Sequence, residues 1–351
     1  MGTIVIHAGG AKAGSSSVQY WLASNARRLR REHDIAVAVA RVADPIRVTE
    51  FKRRQPINSN ALGQARKRGA GVWAAALTRF FAGIQALSRG HRYLLVTSEA
   101  IDQLLWRADE RFLKGLEELA TGHRVVLSYY VRPQHTALEA SWRQWGFRSD
   151  SAPSLYMSRR AEGLHYATTY RHVRQLAPGV VFEPRPFRAD LLDEGSVVVD
   201  FARRSLGLEV SSTDAPRINR GLPLEVVNLL RSAPRGTFWS SAHDNAELRR
   251  IKDLFDDIQI PESAEVRRSR RILQAFCHQT FEAGNRELIR ELGWATKEFV
   301  SAPDEPVEGT IEDLDELWSA RASGPEQEIL FHAIDQALNG EPRKRKRRIY
   351  T

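Results

Sequence analysis

Short apolar runs alternate with amphipathic segments along the first 215 residues of the chain. Segments with apolar residues at helical spacing, such as Ser16 to Glu32, predict helices. Five apolar runs bounded by glycine, proline or polar residues predict buried β-strands: Ile4 to His7, Ile35 to Val42, Tyr93 to Thr97, Val125 to Val131 and Gly179 to Phe187. This alternation predicts an α/β fold in which helices cover both faces of a mostly parallel sheet.

The pattern changes after about residue 215. Helical spacing continues there without a convincing strand, in the segments Leu224 to Arg231, Asn245 to Asp257, Arg267 to Leu292 and Pro325 to Leu338. We expect a core of residues 1–215 with an insertion at residues 44–90, followed by a helical C-terminal subdomain over residues 216–340. The basic tail, residues 341–351, is too charged to pack and is expected to be disordered.

The sequence predicts a cytoplasmic protein. Its most apolar helical segment, Val72 to Leu87, is interrupted by Arg79 and is shorter than the roughly 20 apolar residues of a membrane span. That segment therefore predicts an amphipathic or buried helix. The chain opens into a strand without a basic and then apolar signal segment. A single cysteine, Cys277, excludes an intrachain disulfide framework and fits a reducing compartment.

The chain carries an excess of positive charge, with 52 Lys and Arg against 43 Asp and Glu. A net charge of +9 favours an anionic partner, such as nucleotide phosphates, a nucleic acid, an acidic polymer or the surface of an anionic membrane. Aromatic residues near the basic runs, among them Trp73 and Phe80, would suit stacking on bases. A basic nucleic-acid-binding protein is therefore one alternative reading, although it leaves the motifs described next unexplained.

A loop rich in glycine and serine follows the first predicted strand. Residues 7–17 read His-Ala-Gly-Gly-Ala-Lys-Ala-Gly-Ser-Ser-Ser and lead directly into a predicted helix. Such a turn gathers backbone N–H groups and the positive end of the helix dipole at one point, which favours binding of a phosphate or a similar anion. Lys12 adds a mobile positive charge inside the loop.

The glycines of this loop also fit the nucleotide-triphosphatase pattern G-x-x-x-x-G-K-[ST]. Gly9 and Gly14 have its spacing, but its lysine would stand at position 15, where this chain has Ser15. The lysine is found three residues earlier, at Lys12, and no predicted strand ends in a clear metal-binding aspartate. A P-loop kinase or triphosphatase is therefore the second alternative.

The same segment resembles the nucleotide loop of bacterial sulfotransferases that use 3′-phosphoadenosine-5′-phosphosulfate (PAPS). Their loop has the form Lys-[Thr/Ser/Ala]-Gly-[Thr/Ser]-[Thr/Ser], after a strand and His-x-Gly and before a helix with glutamine. The matching residues here are His7, Gly9, Lys12, Ala13, Gly14, Ser15, Ser16, Ser17, Gln19 and Leu22. The resemblance implies a P-loop-like fold, in which Ala13 to Ser17 hold the 5′-phosphosulfate and Lys12 neutralises the bridging oxygen as the sulfuryl group leaves.

A second match lies at the end of the fourth predicted strand. The family places an arginine there and a serine on the next helix, both on the 3′-phosphate; this chain has Arg132 and Ser141. A guanidinium suits a terminal phosphate because its N–H groups bind it bidentately. The usual interval of eight residues falls on Ala140, so Ser141 is rotated by about 100° around the helix. Weaker echoes, including Asn219-Arg220-Gly221-Leu222, extend the resemblance over about residues 3–230.

Transfer to a hydroxyl or amine requires a base for the acceptor's proton. By the resemblance, the segment after the third predicted strand supplies it, and this chain has Glu99 there, at the strand end where ligands gather in open α/β sheets. Glu99 would equally suit the start of a helix, where the dipole favours an acidic residue. Glu50 and Asp44 are the alternative bases. The histidines show no metal-ligand spacing, so no metal is expected.

The sequence thus predicts a PAPS-dependent sulfotransferase, a nucleotide-binding transferase that releases the bisphosphate PAP. Its acceptor, a carbohydrate, a lipid or a small natural product, is not specified by the sequence, and neither is its oligomeric state. A nucleic-acid partner is not expected, and the basic segments would allow peripheral contact with an anionic membrane surface.

Overall fold

The computed structural model describes residues 2–10, 12–41, 46–52, 57, 60–212, 221–231, 251–252, 255, 260, 262–294, 303 and 306–318. Within these residues six strands form one sheet in the order β3-β2-β4-β1-β5-β6. They are β1 (Thr3–His7), β2 (Ile35–Arg41), β3 (Arg47–Glu50), β4 (Tyr93–Thr97), β5 (Arg124–Val131) and β6 (Val181–Pro186). All neighbouring strands are parallel except β3, which pairs antiparallel with β2 at the edge of the sheet.

Helices connect the strands and continue beyond them. The described helices are α1 (Ser15–His33), α2 (Ala61–Lys67), α3 (Ala70–Ser88), α4 (Ala100–Trp106), α5 (Glu110–Gly122), α6 (Gln134–Trp142), α7 (Pro153–Ala161), α8 (Tyr166–Leu176), α9 (Val197–Leu206), α10 (Leu224–Arg231), α11 (Ala264–Leu292) and α12 (Leu314–Leu317).

The two faces of the sheet carry different helices. On one face, α1 and α9 pack on strand residues that include Val5, Val126 and Tyr130. Helices α3, α5 and α8 pack on β4, β5 and β6. Successive residues of a strand point to opposite faces, and neighbouring β5 tyrosines accordingly reach different helices: Tyr129 bonds to α4 and Tyr130 to α9. The predicted α/β architecture, a mostly parallel sheet with helices on both faces, is confirmed.

The segment 44–90 is more than an insertion over the sheet edge. It supplies the edge strand β3 and the helix α3, which lies in the crossover between the parallel strands β2 and β4. The apolar side of α3, with Trp73, Leu77, Phe80 and Ile84 buried, packs against β3, β4 and α5. Of the described helices, α3 alone is long and apolar enough to cross a membrane, and its one-sided packing fits the prediction of an amphipathic helix.

Contacts divide the chain into two compact units, and this division differs from the predicted one. The first comprises Met1–Ser141, Ser158–Asn219 and Gln274–Pro306; the second comprises Trp142–Met157, Arg220–Leu273 and Val307–Thr351. Helix α11 contributes residues to both units. In its second half, Phe281 packs its ring on His165 and Glu287 pairs with Arg171 of α8. The helical subdomain over residues 216–340 stays a prediction. Most of the segment 245–257, the segment 325–338 and the tail 341–351 lie outside the described residues.

Candidate active site

The order of the strands places the switch point of the sheet, where open α/β sheets have their binding crevice, between the carboxyl ends of β1 and β5. The chain leaves β1 through α1 toward β2, on the side of β4, whereas it leaves β5 toward β6 on the opposite side. Connections that diverge from two neighbouring parallel strands leave a gap above the sheet, and ligands of open α/β sheets bind at this point. The glycine- and serine-rich loop follows β1 and Arg132 follows β5, so both flank the crevice.

The loop between β1 and α1 has a backbone shape that suits an anion. Gly9, Lys12 and Gly14 all have positive φ angles, of 57°, 57° and 77°. Left-handed residues interspersed in a short loop turn N–H groups toward its concave side, as in anion-binding nests. A lysine in this region is strained, and such strain concentrates at functional sites. Glycine is required at position 14 for two reasons: its φ angle is positive, and a Cβ there would lie 2.7 Å from Cγ1 of Val197.

The loop lies directly on the end of β5. A Cβ on Gly10 would be 2.3 Å from the carbonyl oxygen of Tyr130 and 3.3 Å from Cε2 of Tyr129. Only glycine allows this approach. The amide N–H of Ala13 donates to the carbonyl of Gly10 at 3.1 Å, which closes the turn.

The predicted 5′-phosphosulfate residues meet at the start of α1. Gly14 precedes the helix, and Ser15, Ser16 and Ser17 form its first turn. The N–H groups of a first helical turn lack acceptors within the helix, and the dipole places partial positive charge there. Together with the hydroxyls, this end of α1 offers a set of donors for an anion at the crevice.

Arg132 joins the loop from the other side of the crevice. Its Nη1 donates to the carbonyl of Lys12 at 2.8 Å, and its Nε donates to Oγ1 of Thr136 at 3.0 Å. Its own carbonyl accepts from the hydroxyl of Tyr166 at 3.0 Å, and its guanidinium carbon lies 5.7 Å from the ring centroid of Phe187. The two sequence motifs, 120 residues apart, therefore meet in the structure.

His7 lies beneath the loop, as its place at the end of β1 predicts. Its Nδ1 is 3.0 Å from Oγ1 of Thr97, which also accepts from Nε2 of Gln19 at 3.4 Å. Burial lowers the pKa of His7 to about 4. Its ring packs edge-on against Phe201, with centroids 5.3 Å apart. A neutral histidine held in this way supports the loop from below.

The structure places Ser141 on an arginine that lies outside the two sequence motifs. Ser141 is buried on α6, and its Oγ accepts from Nε of Arg160 at 3.1 Å. Arg160 lies in the last turn of α7, so the predicted serine already has a basic neighbour.

Glu99 lies beside the loop. A Cβ on Gly9 would be 3.2 Å from Cγ of Glu99, and the Glu99 side chain is exposed. Glu99 is the N-cap residue of α4, and the N–H of Ala100, the first residue of the helix, donates to Oγ of Ser98 at 3.3 Å. The carboxylate of Glu99 makes no capping hydrogen bond.

Of the two alternative bases, Glu50 and Asp44, Glu50 is among the residues that the structure describes. Glu50 ends the edge strand β3 and pairs with Arg30 at 3.7 Å. Asp44 and the late Arg220 lie outside the described residues.

Asp102 is a buried carboxyl that belongs to neither sequence motif. Its Oδ1 accepts from the Tyr129 hydroxyl at 2.7 Å, and its side chain is on the helix that follows Glu99. Burial raises the pKa of Asp102 to about 7, although the Tyr129 hydrogen bond and the Arg160 charge act in the opposite direction. The spacing of Glu99 and Asp102, one helical turn apart, was the available signal.

His7 and Asp102 are expected to act oppositely on stability between pH 4 and pH 7. Asp102 has a raised pKa, so its contribution is largest below about pH 4 and is lost as pH rises to about 7. His7 has a lowered pKa, so its contribution is lost as pH falls from 6.5 to about 4. At about 1.4 kcal/mol for each pH unit between the folded and unfolded pKa, the two effects are similar in size, on the order of 4 kcal/mol.

These two effects offset each other in the native chain, so the pH dependence caused by His7 should become visible in Asp102→Asn. The free energy of unfolding of this variant should rise from pH 4 to pH 6.5 more steeply than that of the native chain. Urea unfolding at a series of pH values measures this. Identical pH profiles for the two chains would contradict the buried environment of Asp102.

Among the residues that the structure describes, no group of three or more His, Cys, Asp or Glu side chains could hold a metal ion.

Comparisons with known proteins give one structural likeness. No protein-family model matches the chain, and no curated protein matches it. A similar solved structure is that of a sulfotransferase from Alicyclobacillus acidocaldarius, with 13% sequence identity and a TM-score of 0.40, covering 84% of this chain and 96% of that one. A likeness this distant does not decide the function, which has to be inferred from the loop and from Arg132.

Proposed function

We propose that this chain is a sulfotransferase that transfers a sulfuryl group from PAPS to a hydroxyl or amine and releases PAP. The observation that carries the proposal is the hydrogen bond from Arg132 Nη1 to the carbonyl of Lys12, 2.8 Å long. It joins two elements suited to anions at one crevice: a loop with a helix start, and a guanidinium. A ligand with two separate phosphate groups fits such a pair.

The proposed roles follow from charge. The first turn of α1 and the hydroxyls of Ser15 to Ser17 bind the 5′-phosphosulfate, and Arg132 with Ser141 binds the 3′-phosphate. As the acceptor oxygen bonds to sulfur, the bond from sulfur to the bridging oxygen breaks and its electron pair stays on that oxygen. Lys12 stabilises the charge that develops there, and positioning supplies most of the remaining rate. Glu99 accepts the acceptor's proton.

The setting of this activity is also a proposal. We place it in the cytoplasm, with a carbohydrate, a lipid or a small natural product as acceptor. The basic surface suits acidic acceptors or a peripheral contact with an anionic membrane, since opposite charges raise the local concentration of a partner.

Thermal unfolding tests the choice of nucleotide. Because the crevice offers two anion sites, adenosine 3′,5′-bisphosphate should raise the melting temperature strongly, whereas ATP with Mg²⁺ should do little. A ligand at 100 times its Kd stabilises the native state by about 2.7 kcal/mol. Adenosine 5′-monophosphate, which lacks the second phosphate, is the matched control and should give a smaller shift. Equal or greater stabilisation by Mg²⁺-ATP would favour a kinase or triphosphatase instead.

A further inference from the structure

Two neighbouring tyrosines of β5 each bind a buried aspartate, but the two aspartates differ in one respect. Tyr129 donates to Oδ1 of Asp102 at 2.7 Å on one side of the sheet, and Tyr130 donates to Oδ1 of Asp200 at 2.5 Å on the other. Both carboxyls are more than nine-tenths buried. The pairs therefore provide an internal comparison.

Both carboxylate oxygens of Asp200 have hydrogen-bond or ion-pair partners. Its Oδ1 also lies 3.4 Å from Nη1 of Arg185, and its Oδ2 lies 3.1 Å from Nε of Arg204. The Oδ2 also accepts from the N–H of Asp193 at 3.4 Å. A buried carboxylate that is paired and hydrogen-bonded at both oxygens is a structural ion pair.

In Asp102, by contrast, the hydrogen bond from Tyr129 reaches one oxygen, Oδ1. Its Oδ2 accepts no hydrogen bond from any residue that the structure describes. The groups whose charges act on it are Tyr129 of β5, Arg160 of α7, Tyr166 of α8 and Glu99 beside its own helix. Burial raises the pKa of both tyrosines, so their hydroxyls stay protonated at neutral pH. Burial disfavours the charged form of a carboxylate when one of its oxygens accepts no hydrogen bond, so such a group binds a proton readily.

Asp102 also borders the proposed reaction centre. Cε2 of its partner Tyr129 would be 3.3 Å from a Cβ added to Gly10. In the same way, Cγ of Glu99 would be 3.2 Å from a Cβ added to Gly9. Residues three apart at the start of a helix lie on the same side, so Glu99 and Asp102 are neighbours. The Glu99 carboxylate is exposed at the loop, the Asp102 carboxylate is buried, and the two are close enough for their charges to interact.

We propose that Asp102 is the second carboxyl of the proton path: Glu99 takes the proton of the acceptor, and Asp102 Oδ2 receives it from Glu99. This inference rests on the proposed sulfuryl transfer. In the full step, the acceptor O–H bond breaks, its oxygen bonds to sulfur, and the bond from sulfur to the bridging oxygen breaks. The bisphosphate leaves with that electron pair, Glu99 returns to its carboxylate form, and Asp102 holds the proton until it passes to solvent.

Water serves as the acceptor for the test, so no natural acceptor has to be known. Release of labelled sulfate from PAPS into water is measured against pH for the native chain and for Asp102→Asn, Tyr129→Phe and Tyr130→Phe. Asp102→Asn should lower the rate above pH 7 by about tenfold, less than loss of a direct base, and abolish the acid limb of the profile. Tyr129→Phe removes a donor to the carboxylate and should move the acid limb to higher pH. Tyr130→Phe removes the matching hydroxyl from Asp200 and should leave the limb in place.

Each outcome has a definite meaning. A native rate and acid limb in Asp102→Asn, or equal shifts in the two tyrosine variants, would overturn the relay. If Asp102→Asn fails to fold, the two tyrosine variants decide, and stabilisation by adenosine 3′,5′-bisphosphate shows which variants keep the nucleotide site. If the native chain neither binds the bisphosphate nor releases sulfate, the proposed function itself fails, and the relay with it.

Discussion

Lys12→Ala is expected to lower the rate of sulfuryl transfer by about 10²–10³, the usual cost of losing one group that stabilises developing charge. Binding of adenosine 3′,5′-bisphosphate should change far less. The reason is that the ammonium interacts most strongly with the bridging oxygen when charge builds up on it, in the transition state. Its loss should therefore appear in kcat rather than in nucleotide affinity.

Arg132→Ala is the contrasting variant. In the proposed site its guanidinium binds the 3′-phosphate, so the affinity for the bisphosphate should fall by about 1.5–3 kcal/mol, the range for hydrogen bonds to charged groups. Lys114→Ala is the matched control for a lost lysine, because Lys114 lies exposed on α5 and pairs with Glu110. Sulfate release from PAPS measures the rate, and calorimetry measures the affinity. Unchanged rate and affinity in both Lys12→Ala and Arg132→Ala would place the site elsewhere.

The strands of the sheet could be predicted because their signal is local. Runs such as Tyr93 to Thr97 are apolar on both faces and bounded by polar residues, which is typical of buried parallel strands. The loop was predictable for a similar reason, since its glycines and lysine are contiguous in sequence. The sequence also predicts that Lys12 and Arg132 each follow a strand, and the pairing of β1 with β5 brings the two residues together.

The remaining features depend on contacts between distant segments. The strand β3 is only four residues long, so the segment 44–90 carries no clear strand signal and its pattern predicts an insertion. Asp102 lies in an ordinary helix, and only the packing of α4 near β5 brings it to Tyr129. Ser141 likewise acquires its partner Arg160 from a helix that the spacing of the motif does not include.

Glu99→Gln tests the first step of the proton path and carries the largest expected effect. Glutamine keeps the shape of the side chain but cannot accept a proton at neutral pH. The rate of sulfate release should fall by about 10²–10⁴, the range for general-base catalysis. Bisphosphate binding should remain, because in the proposed mechanism Glu99 acts on the acceptor and not on the nucleotide. The acid limb of the pH–rate profile should also disappear, since Asp102 would no longer receive the proton.

The alternative role of Glu99 predicts a different result. If Glu99 only favours the start of α4, its replacement should cost a few tenths of a kcal/mol in stability, at about the lower end of the helix-dipole effect, and leave the rate unchanged. Glu110→Gln is the matched control, because Glu110 is an exposed acidic residue in the first turn of α5. Equal stability losses in the two variants, together with a native rate in Glu99→Gln, would remove Glu99 from the mechanism. The role would then pass to Glu50 or Asp44, and Asp102 would lose its proton donor.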